Sequence, residues 1–188
     1  TTFDPARQEG GVVMNTTLFK RREFEQALRA MEGPFRQGIA VSERVAIAQP
    51  GERLGNTLVP EDRIGFSTVC SVTINGVLLK AGIPMDSRFG GILQMRNRCA
   101  HRFVEIIHYS GSSLDPSEAF IRAHMTDVAT AARTGNGRVL ANFRDLPGPC
   151  RPLVEQKAAQ LREAGICGLL QLGELSEPIC QIPVDTNM

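Results

Sequence analysis

Residues Ile64 to Gly91 read I-G-F-S-T-V-C-S-V-T-I-N-G-V-L-L-K-A-G-I-P-M-D-S-R-F-G-G, and no other part of the chain gathers as much structural punctuation and polar chemistry. Ile64 to Val69 is a short apolar and β-branched run, the signature of a buried strand. Ile74 to Ala81 follows with Val77, Leu78 and Ala81 on one helical face. A strand therefore hands over to a helix through Cys70-Ser71-Val72-Thr73, and Gly82 with Pro84 ends that helix. At the mouth of such a helix, small hydroxyl side chains and backbone N–H groups converge, and the dipole favours an anion. The same features also make an ordinary capped helix. Asn75-Gly76 at the helix start, Lys80 one to two turns on and Arg88 in a polar loop ending in Gly90-Gly91 add an amide and two cations that suit a carboxylate or phosphate. The candidate ligand-binding residues are thus Thr68, Cys70, Ser71, Thr73, Asn75, Lys80 and Arg88. Arg88 is favoured over Lys80, because a planar guanidinium holds a carboxylate by two hydrogen bonds.

Working outward, the totals exclude several functions. The chain has 188 residues, with 21 basic against 20 acidic and a formal net charge of +1, which gives no nucleic-acid surface. Trp is absent and Tyr occurs once, so there is little to stack single-stranded bases on. No apolar run approaches the roughly 20 residues of a membrane span, and Thr1-Thr2-Phe3 opens no signal segment. A cytoplasmic protein is expected, and the start without Met reads as a piece excised from a longer chain. The five cysteines, Cys70, Cys99, Cys150, Cys167 and Cys180, are odd in number and widely spaced, so neither a metal site nor a disulfide framework is expected. Cys70 at a helix N-terminus could be an activated thiolate. The motif supplies no base for it, since His101, His108 and His124 are all distant in sequence.

The flanks repeat one another. Gly10 to Leu18 reads as a strand, Arg21 to Met31 as an amphipathic helix ended by Gly33-Pro34, and Ile39 to Ala48 as one or two further strands. G-G-V-V-M-N at Gly10 to Asn15 returns as G-R-V-L-A-N at Gly137 to Asn142, and Gly38-Ile39 returns as Gly165-Ile166 after a second helix at Leu153 to Ala164. Both pairs are 127 residues apart (142 − 15 and 165 − 38). Leu58-Val59-Pro60 likewise resembles Gln181-Ile182-Pro183. Halves of about 10–60 and 137–184 therefore surround a central 64–133 segment. In that segment, 90–95 and 102–109 read as strands, the second interior because apolar residues lie on both its faces. Asp115-Pro116 opens a short helix, and a second runs to Arg133 before Gly135-Asn136-Gly137. The expected fold is α/β, a mixed sheet with packed helices in a single domain built on an internal β-α-β duplication.

The run T-V-C-S-V-T-I-N-G-V-L-L-K-A-G-I-P (Thr68 to Pro84) followed by R-F-G-G (Arg88 to Gly91) resembles the effector domain of the NrpR-type nitrogen regulatory repressors. So do, in the same order, T-T-F-D-P at Thr1, V-V-M-N at Val12, P-G-E-R-L-G at Pro50, L-D-P-S-E-A-F-I-R-A-H-M-T-D-V at Leu114 and A-A-R-T-G-N-G-R-V-L-A-N-F-R at Ala131. The resemblance covers nearly the whole chain. It implies a ligand sensor without catalysis or cofactor, with 2-oxoglutarate as effector. It further implies that DNA is bound only by a winged helix-turn-helix domain preceding this segment, and that a second copy of the domain can follow. By analogy with regulators in general, a homodimer is expected. Two other classes stand beside it: an enzyme using Cys70 as nucleophile, and a purely structural dimerisation module.

Overall fold

The computed structural model describes residues 1–184. Strand β1 (Met14–Lys20) leads through a single turn of 3-10 helix (Arg21–Glu23) into helix α1 (Phe24–Arg36). Strand β2 (Val45–Ala48), a short hairpin of β3 (Arg53–Leu54) and β4 (Thr57–Leu58), and strand β5 (Arg63–Val69) follow. The nearly continuous apolar run of β5 takes the centre of a three-stranded sheet, where both faces are covered. It pairs antiparallel with β1 on one side (Thr17 opposite Phe66) and with β2 on the other (Ile47 opposite Phe66). β1 and β2, joined by α1, are therefore parallel to each other with β5 between them, a split β-α-β arrangement. Phe24 of α1 meets Phe19 and Phe66 on this sheet, with ring centroids 5.9 and 6.1 Å away. Gly65 is required where it stands, because a Cβ there would lie 2.8 Å from side-chain carbons of both Leu54 and Val59.

Helix α2 (Val72–Lys80) follows β5 directly. It ends as the sequence predicts: Gly82 adopts φ +79°, its N–H donates to Leu79 O, and Ile83 N–H donates to Leu78 O. The long strands β6 (Asp86–Arg96) and β7 (Cys99–His108) form a hairpin. Helices α3 (Pro116–Arg122) and α4 (Val128–Thr134), strand β8 (Gly137–Asp145), a 3-10 turn (Gly148–Cys150) and helix α5 (Arg151–Glu163) complete the elements. The second sheet is antiparallel in the order β7-β6-β8. The predicted interior strand at 102–109 is thus a sheet edge, and no residue of β7 is fully buried. Its apolar residues mislead because Phe103 joins an aromatic cluster with Phe89 and Phe143, while Ile106 stays 41% exposed. Asp115 caps α3 as expected, accepting from Ser117 N (2.8 Å) and Glu118 N (3.3 Å), with Pro116 in the first turn.

The chain divides into two units, Thr1–Val77 with Gln156–Leu169, and Leu78–Glu155 with the chain from Leu170. Ile64, Phe66, Val69, Ile74, Leu161 and Ile166 are buried in the first; Ile83, Phe89, Ile92, Leu93, Phe120 and Phe143 are buried in the second. The architecture is α/β, with antiparallel sheets and packed helices. The duplication extends from sequence to structure. Adding 127 to the bounds of α1 (24–36) gives 151–163, the bounds of α5, and adding it to the 3-10 turn 21–23 gives 148–150. The glycines that follow the two helices, Gly38 and Gly165, have φ of +67° and +76°. Beyond them the copies part. β2 is V-A-I-A, whereas residues 172–175, Leu172-Gly173-Glu174-Leu175, form no strand. A glycine and an acid weaken β propensity there.

Candidate functional site

The turn between β5 and α2 is fixed by the lead-in to β1. Cys70 N–H donates to Val13 O (2.8 Å), and Thr73 Oγ1 both accepts from Val13 N–H (2.9 Å) and donates to Val13 O (3.3 Å). Thr73 is completely buried, so its hydroxyl is an internal brace that joins the helix start to the sheet edge. Thr73→Val keeps the shape but leaves the Val13 N–H without its acceptor. It should lower unfolding stability by about 1–3 kcal/mol in urea titration, whereas Thr73→Ser should retain most of it. Next to this brace, Thr16 and Ser67 share a hydroxyl–hydroxyl hydrogen bond of 2.7 Å across the β1–β5 ladder.

The structure brings five of the seven candidate residues together, at the end of β5 and the first turn of α2: Thr68, Cys70, Ser71, Thr73 and Asn75. Thr68, Cys70, Ser71 and Asn75 are half-buried. The Asn75 amide oxygen is enclosed and finds no hydrogen-bond partner among the described residues. An enclosed acceptor without a donor costs about 1–3 kcal/mol, so this amide holds unused hydrogen-bonding capacity at the mouth of a nine-residue helix. Gly76 lies where the chain start crosses the helix; a Cβ there would collide with Thr1.

The remaining two candidates belong to the second unit. Lys80 is the last residue of α2, about 12 Å along the axis from Val72 at 1.5 Å per residue, and is exposed. Arg88 sits in β6 of the second unit, where its Nη1 is 3.2 Å from Oδ2 of Asp145 and donates to Pro183 O at 3.1 Å. Its guanidinium carbon lies 5.5 Å from the centroid of the Phe143 ring. Asp145, which the sequence reading did not single out, is only 6% exposed. Only its position directly after the strand motif G-R-V-L-A-N-F-R could have drawn notice to it.

Among the described residues, no group of three or more His, Cys, Asp or Glu side chains is disposed to hold a metal ion. All five cysteines are free thiols, with Cys99 and Cys167 exposed. Burial pushes the Cys180 thiol above its ordinary value, and its Sγ–H donates to Gln171 Oε1 at 3.4 Å. Iodoacetamide at neutral pH should therefore label Cys99 and Cys167 first and Cys180 last, read by peptide mass spectrometry. Labelling of half-buried Cys70 ahead of the two exposed thiols would instead indicate an activated nucleophile.

The sequence profile of the NrpR regulatory domains NRD1 and 2 matches residues 1–188. The chain belongs to this family of nitrogen-regulator domains. Among relatives, the global nitrogen regulator NrpRI of Methanosarcina mazei is 36% identical over 187 residues, spanning all of this chain and 57% of that protein. The global nitrogen regulator NrpR of Methanocaldococcus jannaschii is 28% identical over 187 residues, again all of this chain but 30% of that protein. This NrpR-family chain thus corresponds to between about a third and just over half of these relatives. A crystal structure of a nitrogen repressor-like protein from Methanococcus jannaschii superposes with a TM-score of 0.79 at 28% identity, covering 99% of this chain and 74% of that one. Its α/β fold is therefore that of an NrpR-like protein. Among the described residues, no helix is long and apolar enough to cross a membrane.

Proposed function

We propose that this NrpR-family domain is an effector sensor. It binds a small dicarboxylate, 2-oxoglutarate, at the β5–α2 turn, and the bound state alters DNA binding by a separate winged helix-turn-helix domain of a cytoplasmic, homodimeric repressor of nitrogen-assimilation genes. The observation that carries this reading is the enclosed Asn75 amide oxygen, which has no hydrogen-bond partner among the described residues, beside the half-buried Thr68, Cys70 and Ser71 at the start of α2. Turning that amide by half a rotation about χ2 exchanges its oxygen for an NH₂ that donates to a carboxylate. The helix N-terminus favours the same negative charge. The curated relatives are named as nitrogen regulators, which supports sensing over catalysis.

In this reading Thr68, Cys70, Ser71 and Asn75 contact the ligand, and Thr73 holds the turn in shape. Arg88, engaged with Asp145, and Lys80, at the far end of α2, are left outside the contact set. Ligand binding regulates only through a difference in affinity between two states of the protein.

Titration calorimetry with 2-oxoglutarate, and with glutarate and glutamate as controls, tests the proposal. Saturable heat preferring the keto acid is expected. Asn75→Ala and Ser71→Ala should each weaken binding by about 10- to 100-fold, the loss of a hydrogen bond to a charged group. Asn75→Ala should not lower the melting temperature, because it removes an enclosed acceptor that has no partner to lose. No saturable heat from folded protein, or undiminished binding in both variants, would overturn the assignment.

A further inference from the structure

The near-neutral total of the chain conceals an uneven distribution. At the end of the second sheet opposite Arg88 and Asp145, and within the second unit alone, Arg96 ends β6, Arg98 sits in the two-residue hairpin turn, Arg102 lies on β7, Arg133 on α4 and Arg138 on β8. All five are exposed, and they leave the rest of the chain at −4 (1 − 5). No Asp or Glu occurs in 87–104 or in 128–144. Asp127, whose N–H donates to Arg138 O, uses its carboxylate to cap α4. Among the described residues, Arg96, Arg102, Arg133 and Arg138 make no ion pair. Arg102 and Arg138 stand opposite Gln94 on its two sides, so the three side chains share one face of the sheet, and Arg102 Nε donates to Gln94 Oε1 at 3.1 Å. Two strand spacings set the outer arginines about 10 Å apart, enough to address separate phosphates. The hairpin turn is clasped by the turn before β8: Arg98 N–H donates to Gly135 O (2.9 Å) and Asn97 N–H to Asn136 Oδ1 (3.2 Å). A Cβ at Gly135 would lie 2.8 Å from Arg98 Cγ, so glycine permits this approach.

We infer that this arginine cluster, on the β6–β7 hairpin tip and the turn before β8, binds the phosphate backbone of duplex DNA without regard to sequence. Like charges held together by backbone hydrogen bonds repel one another until a counter-charge is supplied from outside, and a duplex carries one negative charge per about 1.7 Å of its axis. Three features select this occupant. The cations are all arginines, whose planar fork matches phosphate. No large apolar side chain is exposed in 93–102 or 133–138, whereas a protein partner would call for an apolar centre within the polar rim. No aromatic ring is exposed there either, so single strands have nothing to stack on. The choice of DNA over RNA rests on the repressor reading above, in which a separate domain of the same protein holds DNA; the contact itself is a property of this chain.

Fluorescence anisotropy of this chain with short labelled DNA duplexes of unrelated sequence, across a salt series, tests the inference. Saturable binding at low salt is expected, equal for the different sequences, and the logarithm of the association constant should fall against that of salt with a slope of about −3 to −4.5, for about three to five phosphates. Arg96→Gln combined with Arg138→Gln should weaken binding by about 10- to 100-fold and take about 2 off the slope. The charge-matched pair Arg29→Gln and Arg36→Gln on α1, where the arginines face Glu25 and Glu32, should change neither. Circular dichroism confirms that each protein is folded. Absence of binding from folded wild-type protein, or equal losses from the two variant pairs, which would make total charge the cause, would overturn the inference. So would tighter binding to an RNA duplex or a single strand, or polyglutamate competing as well as the duplex, which would assign the cluster to an acidic protein. DNA binding without heat from 2-oxoglutarate leaves this contact standing and removes the sensing reading, and heat without DNA binding does the reverse.

Discussion

Arg88→Ala is expected to cost about 3–5 kcal/mol of unfolding free energy, the loss that follows when one partner of a buried ion pair is removed. Asp145 is 6% exposed and takes the Arg88 guanidinium at 3.2 Å. Without that guanidinium, the enclosed carboxylate loses a charge-assisted hydrogen bond and part of the attraction that offsets its desolvation. Arg88→Ala combined with Asp145→Asn should recover part of the loss, and a double-mutant cycle gives the coupling between the two side chains. Urea unfolding of the four proteins measures all of this. A loss below about 1 kcal/mol, far from the value for a buried pair, would show that Arg88 is not structural. In that event, its sequence-based assignment as a carboxylate clamp for the ligand would regain force.

Phe89→Ala is expected to cost a similar amount, about 3–5 kcal/mol, for a different reason. Phe89 is 1% exposed, its ring stacks on Phe143 with centroids 4.9 Å apart, and it meets Phe103 edge-on at 5.0 Å and His108 at 5.7 Å. Truncation leaves a cavity among aromatic rings that cannot collapse to fill it. At about 2–4 °C per kcal/mol for a chain of this size, the melting temperature should fall by roughly 10 °C. Phe89→Leu should lose less, because it refills part of the volume. A small change for Phe89→Ala in scanning calorimetry would mean that the β6–β8 core repacks around the gap. Neither variant alters a group proposed to touch the ligand, so any effect on binding should track unfolded fraction alone.

The strand-to-helix stretch was legible because its determinants are local. Ile64 to Val69 carries its burial in its own apolar run, and Gly82 marks the end of α2 by the positive φ that a glycine adopts freely. The repeat was legible for the same reason: Gly38 and Gly165 both adopt positive φ after helices of identical length, which fixes the offset. Pairings distant in sequence were not legible. Arg88 and Asp145 are 57 positions apart (145 − 88), and nothing local distinguishes an arginine that anchors a buried acid from one that awaits a ligand. Thr73 reads as a hydroxyl at a helix mouth, yet the fold turns it inward onto Val13, 60 residues away. The place of β7 was misread because apolar residues on both faces describe a central strand and also an edge strand that contributes one ring to an aromatic cluster. In α1, periodicity correctly gave an apolar face, but periodicity does not say whether the same chain covers it.

The central claim, that a dicarboxylate binds at the β5–α2 turn, is tested most directly by following backbone amide resonances as 2-oxoglutarate is added to isotope-labelled protein. The account predicts saturable shifts that begin at Thr68, Cys70, Ser71 and Asn75 and that require about 10- to 100-fold more ligand in Asn75→Ala. Saturable shifts centred on other residues, or none at all in folded protein, would contradict it.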